Sequence, residues 1–236
     1  MADLTGEPQI AVLVIGRNEG DRLIQCLRSV LGTNYPHRAL EVVYVDSDSN
    51  DGSVQAALDL GVKVVEVSPE RPCAAVGRNA GWRAVDADLI LFLDGDTVLD
   101  PDFLTQAVGS FDENDVAVVF GHRREMDTVG SIYNRTLDLD WVFPLGEVRF
   151  CGGDALMRRD VLALVDGFDE GLIAGEEPDL CRRMREIGYK IMHIDLAMTL
   201  HDLDMHHFSQ YWKRGVRTGH AYAEVAQRFR GTDDAL

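Results

Sequence analysis

The first 93 residues alternate between short apolar runs and segments whose apolar residues recur with helical spacing. Near-continuous apolar runs are typical of strands that are buried on both faces of a parallel sheet. Such runs predict strands at 10–16, 41–45, 62–67 and 89–93. The segments between them predict helices at 21–32, with Asp21 as its N-cap, at 53–61 and at 74–85. This alternation predicts a parallel, doubly wound sheet with helices packed on its faces.

Beyond Pro101 the alternation becomes less regular. The pattern still predicts strands at 116–121 and 189–194, a helix capped by Asp160, and helices at 102–111, 178–188 and 206–230. The helix at 178–188 has proline at its first turn, where a missing N–H does no harm. The apolar residues of the segment 128–150 follow neither the helical nor the strand period, so this segment is expected to be irregular. The pattern as a whole indicates the α/β class.

The composition narrows the classes of partner and compartment. The chain has 23 basic and 40 acidic residues, a net charge of −17, and such a surface repels nucleic acid. Its four cysteines are widely separated, which favours reduced thiols over a zinc site or a disulfide framework. The polar start is unlike a signal peptide, and no apolar run approaches the roughly 20 residues that span a bilayer. We therefore expect a cytoplasmic protein, soluble or bound to the cytoplasmic face of a membrane.

Two predicted strands end in acidic loops. One loop contains Asp46 and Asp48, and the other is the turn Asp94-Gly95-Asp96. In open α/β sheets, ligands bind beyond the carboxyl ends of the strands. An EF-hand beginning at Asp46 is excluded, because its sixth position is aspartate instead of glycine and its twelfth is alanine instead of glutamate. Closely spaced carboxylates on either side of a glycine suit Mg²⁺, which takes one or two of them and fills its other positions with water and phosphate.

A set of motifs in a fixed order extends from about residue 10 to about residue 220. The motifs are 12-VLVIGRNE-19, 43-VYVDSDSNDGS-53, 77-GRNAG-81, 91-LFLDGDT-97, 151-CGGDALMRR-159, 167-GFDE-170, 175-GEEPDLCRRM-184 and His201. Together they resemble the family 2 glycosyltransferases, enzymes with the nucleotide-sugar-binding fold called GT-A. The resemblance implies one domain over 1–236 with a Rossmann-like, mostly parallel central sheet flanked by helices. Its parts would be a nucleotide-binding half (8–100), an acceptor-side α+β half (101–205) and a basic amphipathic helix (206–236).

The resemblance also assigns roles to single residues. The nucleotide-binding residues would be Ile15, Arg17, Glu19, Asp46, Asp48, Arg78, Asp94 and Gly95. Asp96 and His201 would bind Mn²⁺ or Mg²⁺, and the acceptor site would contain Trp141, Gly152, Gly153 and Asp154. The general base of the family is an aspartate, but this chain has Glu177 at that position, with Glu176 beside it as the reserve candidate. A glutamate keeps the carboxylate but extends its reach by one methylene, whereas a base must lie within hydrogen-bond distance of its proton.

The activity implied is an inverting, metal-dependent transfer of a sugar from a UDP- or GDP-sugar to an acceptor hydroxyl. The acceptor would be a carbohydrate, a lipid or a small molecule, in the synthesis of a glycan, polysaccharide or glycolipid. A sugar nucleotidyltransferase is the enzymatic alternative, although 15-IGRNEGDR-22 is poor in glycine for the loop that such enzymes carry. A non-catalytic nucleotide- or carbohydrate-binding module is the other alternative. An NAD enzyme is disfavoured, because no G-x-G-x-x-G follows the first strand.

The last predicted helix combines aromatic and basic residues. Its basic residues are Lys213, Arg214, Arg217, Arg228 and Arg230. Two interpretations remain open: the segment 206–230 makes peripheral contact with an anionic membrane, or it packs on the domain with a basic outer face. A processive polymer synthase is disfavoured, because 210-QYWKR-214 does not match the Q-x-x-R-W motif of such enzymes.

Overall fold

A computed structural model describes residues 7–71 and 73–230. The two ends of the predicted domain, 1–6 and 231–236, lie outside the described residues. The structure contains nine described strands, which all belong to one sheet. They are β1 (Ile10–Gly16), β2 (Leu40–Asp46), β3 (Lys63–Glu66), β4 (Leu89–Asp94), β5 (Thr97–Leu99), β6 (Val116–Glu125), β7 (Gly146–Val148), β8 (Ala155–Arg158) and β9 (Lys190–His201).

The α-helices of the described residues pack mainly on this sheet. They are α1 (Asp21–Leu31), α2 (Ser53–Asp59), α3 (Ala74–Arg83), α4 (Phe103–Ala107), α5 (Ile132–Asp138), α6 (Arg159–Leu164), α7 (Glu176–Glu186) and α8 (Phe208–Arg228). Short 3₁₀ turns cover His37–Ala39, Val108–Phe111 and Leu139–Trp141. Within the described ranges, no helix combines the length and the apolar character needed to cross a membrane.

The sheet has the order β3-β2-β1-β4-β8-β6-β9-β5, with β7 paired to β9. Strands β3, β2, β1 and β4 are mutually parallel, as the apolar runs predicted. Strand β8 lies antiparallel between β4 and β6, and β9 is parallel to β6 but antiparallel to β5 and β7. The first half of the sheet is therefore parallel, and the second half is mixed. Strands β1 and β4 are buried along almost their whole length and form the centre of the core.

Several local predictions were wrong. Asp21 is not the N-cap of α1 but its first residue, and Gly20 precedes it with a φ of 55°. Asp160 does not cap α6; its carboxylate instead accepts hydrogen bonds from Arg158 at 2.7 and 3.0 Å. Helix α7 begins at Glu176, two residues before Pro178, because Gly175 adopts the left-handed conformation that turns the chain into the helix.

The segment 128–150 is more regular than predicted, since it contains α5, a 3₁₀ turn and β7. Strands β5, β7 and β8 were not predicted at all. With three or four residues each, they are too short for a hydrophobic period to be visible. Strand β5 nevertheless positions the site, because its pairing aligns Thr97 with His201 at the end of β9. This pairing brings His201 beside the turn that precedes β5.

Candidate active site

A cleft of about 700 Å³ opens over the carboxyl ends of β1 and β4 and extends towards α7 and α8. Nearly all the residues that the sequence nominated for a site line it. The exceptions are Asp46 and Asp48, which are not among its lining residues. Residues from several different elements and their loops therefore meet at one place, where the strand-end rule for open α/β sheets puts a ligand.

The end of β1 and the loop after it line one part of the cleft. Ile15, Arg17 and Glu19 line this part, and Glu19 is held by Arg22 at 2.7 Å. Burial raises the pKa of Glu19. Gly95 fits between them so tightly that a Cβ there would lie 3.1 Å from both the Cγ of Glu19 and the carbonyl oxygen of Ile15. A glycine is therefore needed for the acidic turn to pass over the end of β1.

The carboxylate of Asp46 is buried and already has partners within its own loop. It accepts hydrogen bonds from the hydroxyl of Tyr44 at 2.7 Å and from the backbone N–H of Ser49 at 2.9 Å. Asp48 is exposed, has a φ of 66°, and lies 3.7 Å from Arg17. In this arrangement Asp46 shapes the loop whose neighbouring residue Ser47 lines the cleft. A contact of Asp46 or Asp48 with a nucleotide base stays a prediction.

Asp94, Asp96 and His201 form a cluster whose potential ligand atoms all lie within 4.8 Å of one another. The two carboxylates come from the acidic turn after β4, and the imidazole comes from the end of β9. The Nε2 of His201 lies 3.3 Å from an oxygen of Asp96, whose other oxygen is buried and has no partner among the described atoms. Two carboxylates and an imidazole are a suitable donor set for Mn²⁺ or Mg²⁺.

The protonation of the cluster agrees with a cation site. Burial, followed by the charge of Arg123, lowers the pKa of His201 to about 2, so its imidazole is neutral and able to ligate. Burial and the nearby charge of Asp94 raise the pKa of Asp96 to about 7. Burial also acts to raise the pKa of Asp94, but Arg78 and Arg123 outweigh it and lower that pKa to about 2. The cluster thus has an excess of carboxylate charge that a cation would stabilise.

Arg78 connects this cluster to the two glutamates at the start of α7. Its guanidinium is almost fully buried and lies 3.1 Å from Asp94, 2.9 Å from Glu176 and 3.0 Å from Glu177. It also lies 5.5 Å from the ring centre of Phe168. The surrounding carboxylates raise its pKa against the effect of burial, so it remains charged. Arg78 therefore holds Asp94 and the candidate bases in one fixed arrangement.

Glu177 has the properties of a general base. Its side chain is 16% exposed and lines the cleft. Burial, and then repulsion by Glu176, raise its pKa to about 7 in spite of Arg78. A carboxylate with a pKa close to neutral accepts a proton more readily than an ordinary glutamate and is still partly ionised at neutral pH. Glu176 also faces the cleft but is more deeply buried against Arg78.

The loop before β8 approaches this network closely. A Cβ at Gly153 would lie 2.6 Å from Arg78 and 3.0 Å from Asp94, whereas one at Gly152 would meet nothing within 4 Å. Asp154 is buried and accepts hydrogen bonds from the backbone N–H of Asp94 at 3.0 Å and from the hydroxyl of Thr199 at 2.8 Å. Asp154 therefore supports the acidic turn, and direct contact with an acceptor stays a prediction.

Arg123 is a residue of the cleft that sequence reasoning missed. It lies on β6, beyond the predicted end of that strand at 121, and no motif marks it. Its guanidinium is 3.4 Å from Asp94 and 3.6 Å from Asp154, and it lies 4.9 Å from the ring centre of Trp141. The ring of Trp141 is also 5.0 Å from that of His201. Trp141 is therefore part of the wall beside the acidic cluster, where its contacts are with cationic and aromatic groups.

Helix α8 forms the remaining side of the cleft. Arg214, Arg217 and Tyr222 line the cleft together with neighbouring residues of the helix. If α8 packs on the domain with a basic outer face, Arg214 and Arg217 are not part of that face, because they line the cleft. The periodicity predicted the helix, but it carried no information on which residues would face the cleft.

Comparison with known proteins agrees with this geometry. A family model described as "Glycosyl transferase family 2" matches residues 11–164. The glycosyltransferase AglE of Haloferax volcanii is 22% identical over 92% of this chain and 74% of its own length. The pre-mycofactocin glycosyltransferase of Mycobacterium tuberculosis is 28% identical over 82% of this chain. The chain spans 42% of that relative and 57% of the probable glycosyltransferase YdaM of Bacillus subtilis.

Solved structures show the same fold. The mannosyltransferase PcManGT from Pyrobaculum calidifontis, in complex with GDP-Man and Mn²⁺, superposes with a TM-score of 0.74 at 21% identity, covering 95% of this chain and 66% of that one. TarS 1–349 from S. aureus, in complex with UDP-GlcNAc, superposes with a TM-score of 0.73 at 17% identity, covering 95% and 67%. The predicted GT-A fold is confirmed. The match of the family model over most of the chain, on a fold and a cleft of this kind, shows that the chain belongs to glycosyl transferase family 2 and is a glycosyltransferase.

Proposed function

We propose that this glycosyltransferase moves a sugar from a UDP- or GDP-sugar to an acceptor hydroxyl, with inversion at the anomeric carbon. The observation that carries the proposal is the position of Arg78. Its guanidinium contacts Asp94 of the cation cluster and Glu177 of α7 at the same time. The cluster that would hold the cation facing the leaving diphosphate therefore lies in the same cleft as Glu177, which would accept the proton of the acceptor hydroxyl.

The donor side of the reaction belongs to the acidic cluster. Asp94, Asp96 and His201 are the residues that would hold Mn²⁺ or Mg²⁺. The cation supplies positive charge against which a nucleoside diphosphate can leave. Similar folds have been solved with GDP-Man and Mn²⁺ and with UDP-GlcNAc, which supports both bases as candidates.

The acceptor side belongs to Glu177. Its carboxylate takes the proton of the acceptor hydroxyl, while that oxygen forms a bond to the anomeric carbon and the bond from this carbon to the diphosphate oxygen breaks. The two bonds lie on opposite faces of the sugar, so one displacement inverts the configuration and requires no covalent sugar–enzyme intermediate. Arg78 keeps the base in place through its contacts with Glu177 and Glu176, at 3.0 and 2.9 Å.

Calorimetric titration with UDP and with GDP, each with Mn²⁺ and with the metal chelated, tests the donor site. We expect one nucleotide to bind in a metal-dependent way and Asp96→Asn to lose that dependence. Asp100→Asn, which removes a carboxylate outside the cleft and beyond the acidic turn, is the matched control. Incubation with the matching nucleotide sugar and candidate acceptors should then release nucleoside diphosphate; release of pyrophosphate, or binding of neither nucleotide by folded protein, would contradict the proposal.

We also propose peripheral membrane contact through 206–230, supported by a stripe on the exposed side of α8. Phe208, Trp212 and Val216 follow one another at helical spacing, and each is more than half exposed. Apolar surface of this kind on a basic helix fits the interface of an anionic membrane. The protein should float with vesicles that contain anionic lipid, and Trp212→Ser should abolish flotation. Unchanged flotation of the variant would show that the apolar stripe does not contact the membrane.

A further inference from the structure

Arg214 and Arg217 are unusual cations for so acidic a protein. Acidic residues outnumber basic ones by 40 to 23, and the other arginines of the cleft, Arg17, Arg78 and Arg123, all have carboxylate partners. Among residues 7–71 and 73–230, no carboxylate lies within ion-pair distance of Arg214 or Arg217. Burial, and then repulsion by Arg123 and Arg217, lower the pKa of Arg214. Arg214 is partly buried and Arg217 is exposed. A partly buried cation such as Arg214 is unfavourable without a partner, and an anionic ligand would relieve it.

The position of α8 shows where such a ligand would lie. Near its start, the ring of Tyr211 packs 5.6 Å from that of Tyr133. Near its end, Arg228 pairs with Asp169 at 2.5 Å, and Val225 packs so closely that a Cβ at Gly175 would lie 2.8 Å from it. The helix is thus attached at both ends, and the turns between them form one wall of the cleft.

The two arginines occupy different points along this wall. Arg214 lies near the acidic cluster, since its charge acts on His201 and is itself affected by Asp94 and Asp96. Arg217 is one turn further along, in the direction of Val225 and the start of α7. Both residues line the same cleft as the cation cluster and the candidate base. This is the cleft in which the leaving group, the sugar and the acceptor would lie.

We propose that Arg214 and Arg217 bind the phosphoryl oxygens of a substrate, so that α8 is part of the substrate site and not only a surface helix. The inference rests on the proposed glycosyl transfer. Guanidinium forks pair with phosphate oxygens through two parallel hydrogen bonds, which makes arginine well suited to such a ligand. The phosphoryl group belongs either to the donor diphosphate or to a phosphate carried by the acceptor.

The variants Arg214→Gln and Arg217→Gln test the proposal, and Lys213→Gln is the matched control. Lys213 is the exposed neighbour of Arg214, makes the same change of charge on the same helix, and does not line the cleft. Arg214→Lys provides a second variant that keeps the charge but not the fork. Thermal melts of all four variants establish that α8 is still folded against the domain.

The first arm measures calorimetric affinity for UDP, GDP, uridine and guanosine in the presence of Mn²⁺. If the phosphoryl group that the arginines bind belongs to the donor, Arg214→Gln weakens binding of the nucleoside diphosphate about 10–100-fold, the range expected for hydrogen bonds to a charged group. Binding of the nucleoside stays within about twofold, and Lys213→Gln behaves like the unmodified protein. Arg214→Lys should fall between the two, because a single ammonium replaces the fork.

The second arm measures binding of glycerol phosphate and of inorganic pyrophosphate, with and without saturating nucleotide. If the acceptor is the source, glycerol phosphate binds alongside the nucleotide, and the arginine variants lose it while nucleotide affinity is unchanged. Pyrophosphate bound by the unmodified protein and lost in the variants would support the anion site even if neither nucleotide bound, so this site and the glycosyl transfer can fail separately. The proposal is overturned if the arginine variants match Lys213→Gln in both arms, or if none of these phosphates binds to folded protein.

Discussion

Replacing Glu177 by glutamine keeps the shape of the side chain but removes its ability to accept a proton. If Glu177 is the general base, turnover should fall by about 10²–10⁴-fold, the range for general base catalysis. Donor affinity should change little, since the cation cluster and the nucleotide side of the cleft are built from other residues. Arg78 retains Asp94 and Glu176 as partners at 3.1 and 2.9 Å, so the network is not left without charge.

The same substitution should change stability with a defined pH dependence. Burial and repulsion by Glu176 raise the pKa of Glu177 from 4.5 to about 7, and one pKa unit corresponds to about 1.4 kcal/mol. The ionised carboxylate therefore destabilises the fold by at most about 3 kcal/mol relative to a neutral side chain, and this figure already includes the attraction of Arg78. Between pH 4.5 and 7 the folded protein binds the extra proton, so the destabilisation grows as pH rises and is complete above about pH 7.

We therefore expect Glu177→Gln to melt higher than the unmodified protein at pH 8, by about 2–10 °C for a gain of about 1–3 kcal/mol. At pH 5 the difference should nearly vanish. Release of nucleoside diphosphate measures turnover, and thermal melts at both pH values measure stability. Glu186→Gln, at a half-exposed position near the end of the same helix, is the control and should change neither quantity appreciably.

Two results would refute this reasoning. Turnover within a few-fold of the unmodified enzyme would move the base elsewhere, and Glu176→Gln would then be the variant to measure. A lower melting temperature at pH 8 would show that the contact between Glu177 and Arg78 stabilises the fold by more than burial of the charge destabilises it.

Three further predictions concern the cation cluster and the network around Arg78. Affinity for Mn²⁺ should fall about tenfold per pH unit below about pH 7, because Asp96 must lose a proton to bind while His201 is already neutral; calorimetry over pH 5.5–8 measures this, and a flat profile would contradict the raised pKa of Asp96. Gly153→Ala should cost about 1–3 kcal/mol in a denaturant melt, whereas Gly152→Ala should be nearly neutral; equal effects would show that Gly153 has more room than its 2.6 Å approach indicates. Arg78→Met should destabilise the fold by about 3–5 kcal/mol, because three carboxylates lose their shared partner, and an unchanged melt would mean that they tolerate each other without it.

The parallel half of the sheet was predictable because its strands are long and buried on both faces, so that β1 and β4 appear as unbroken apolar runs. Strands β5 and β8 have three and four residues, and no hydrophobic period can be recognised in so few positions. The order of the motifs along the chain nominated Asp96 and His201 as cation ligands. Their proximity in space depends on the pairing of β5 with β9, which joins residues about a hundred positions apart.

The sequence by itself determined the order of the elements, the α/β class and the chemical types in the cleft, because hydrophobic period and motif order are local properties of the chain. Tertiary structure decided which charges meet. It joined Arg78 to Asp94 and Glu177, added Arg123 from β6, and turned Arg214 towards the cleft. These contacts link segments far apart in the chain and depend on strand pairing and helix packing, so no local pattern records them.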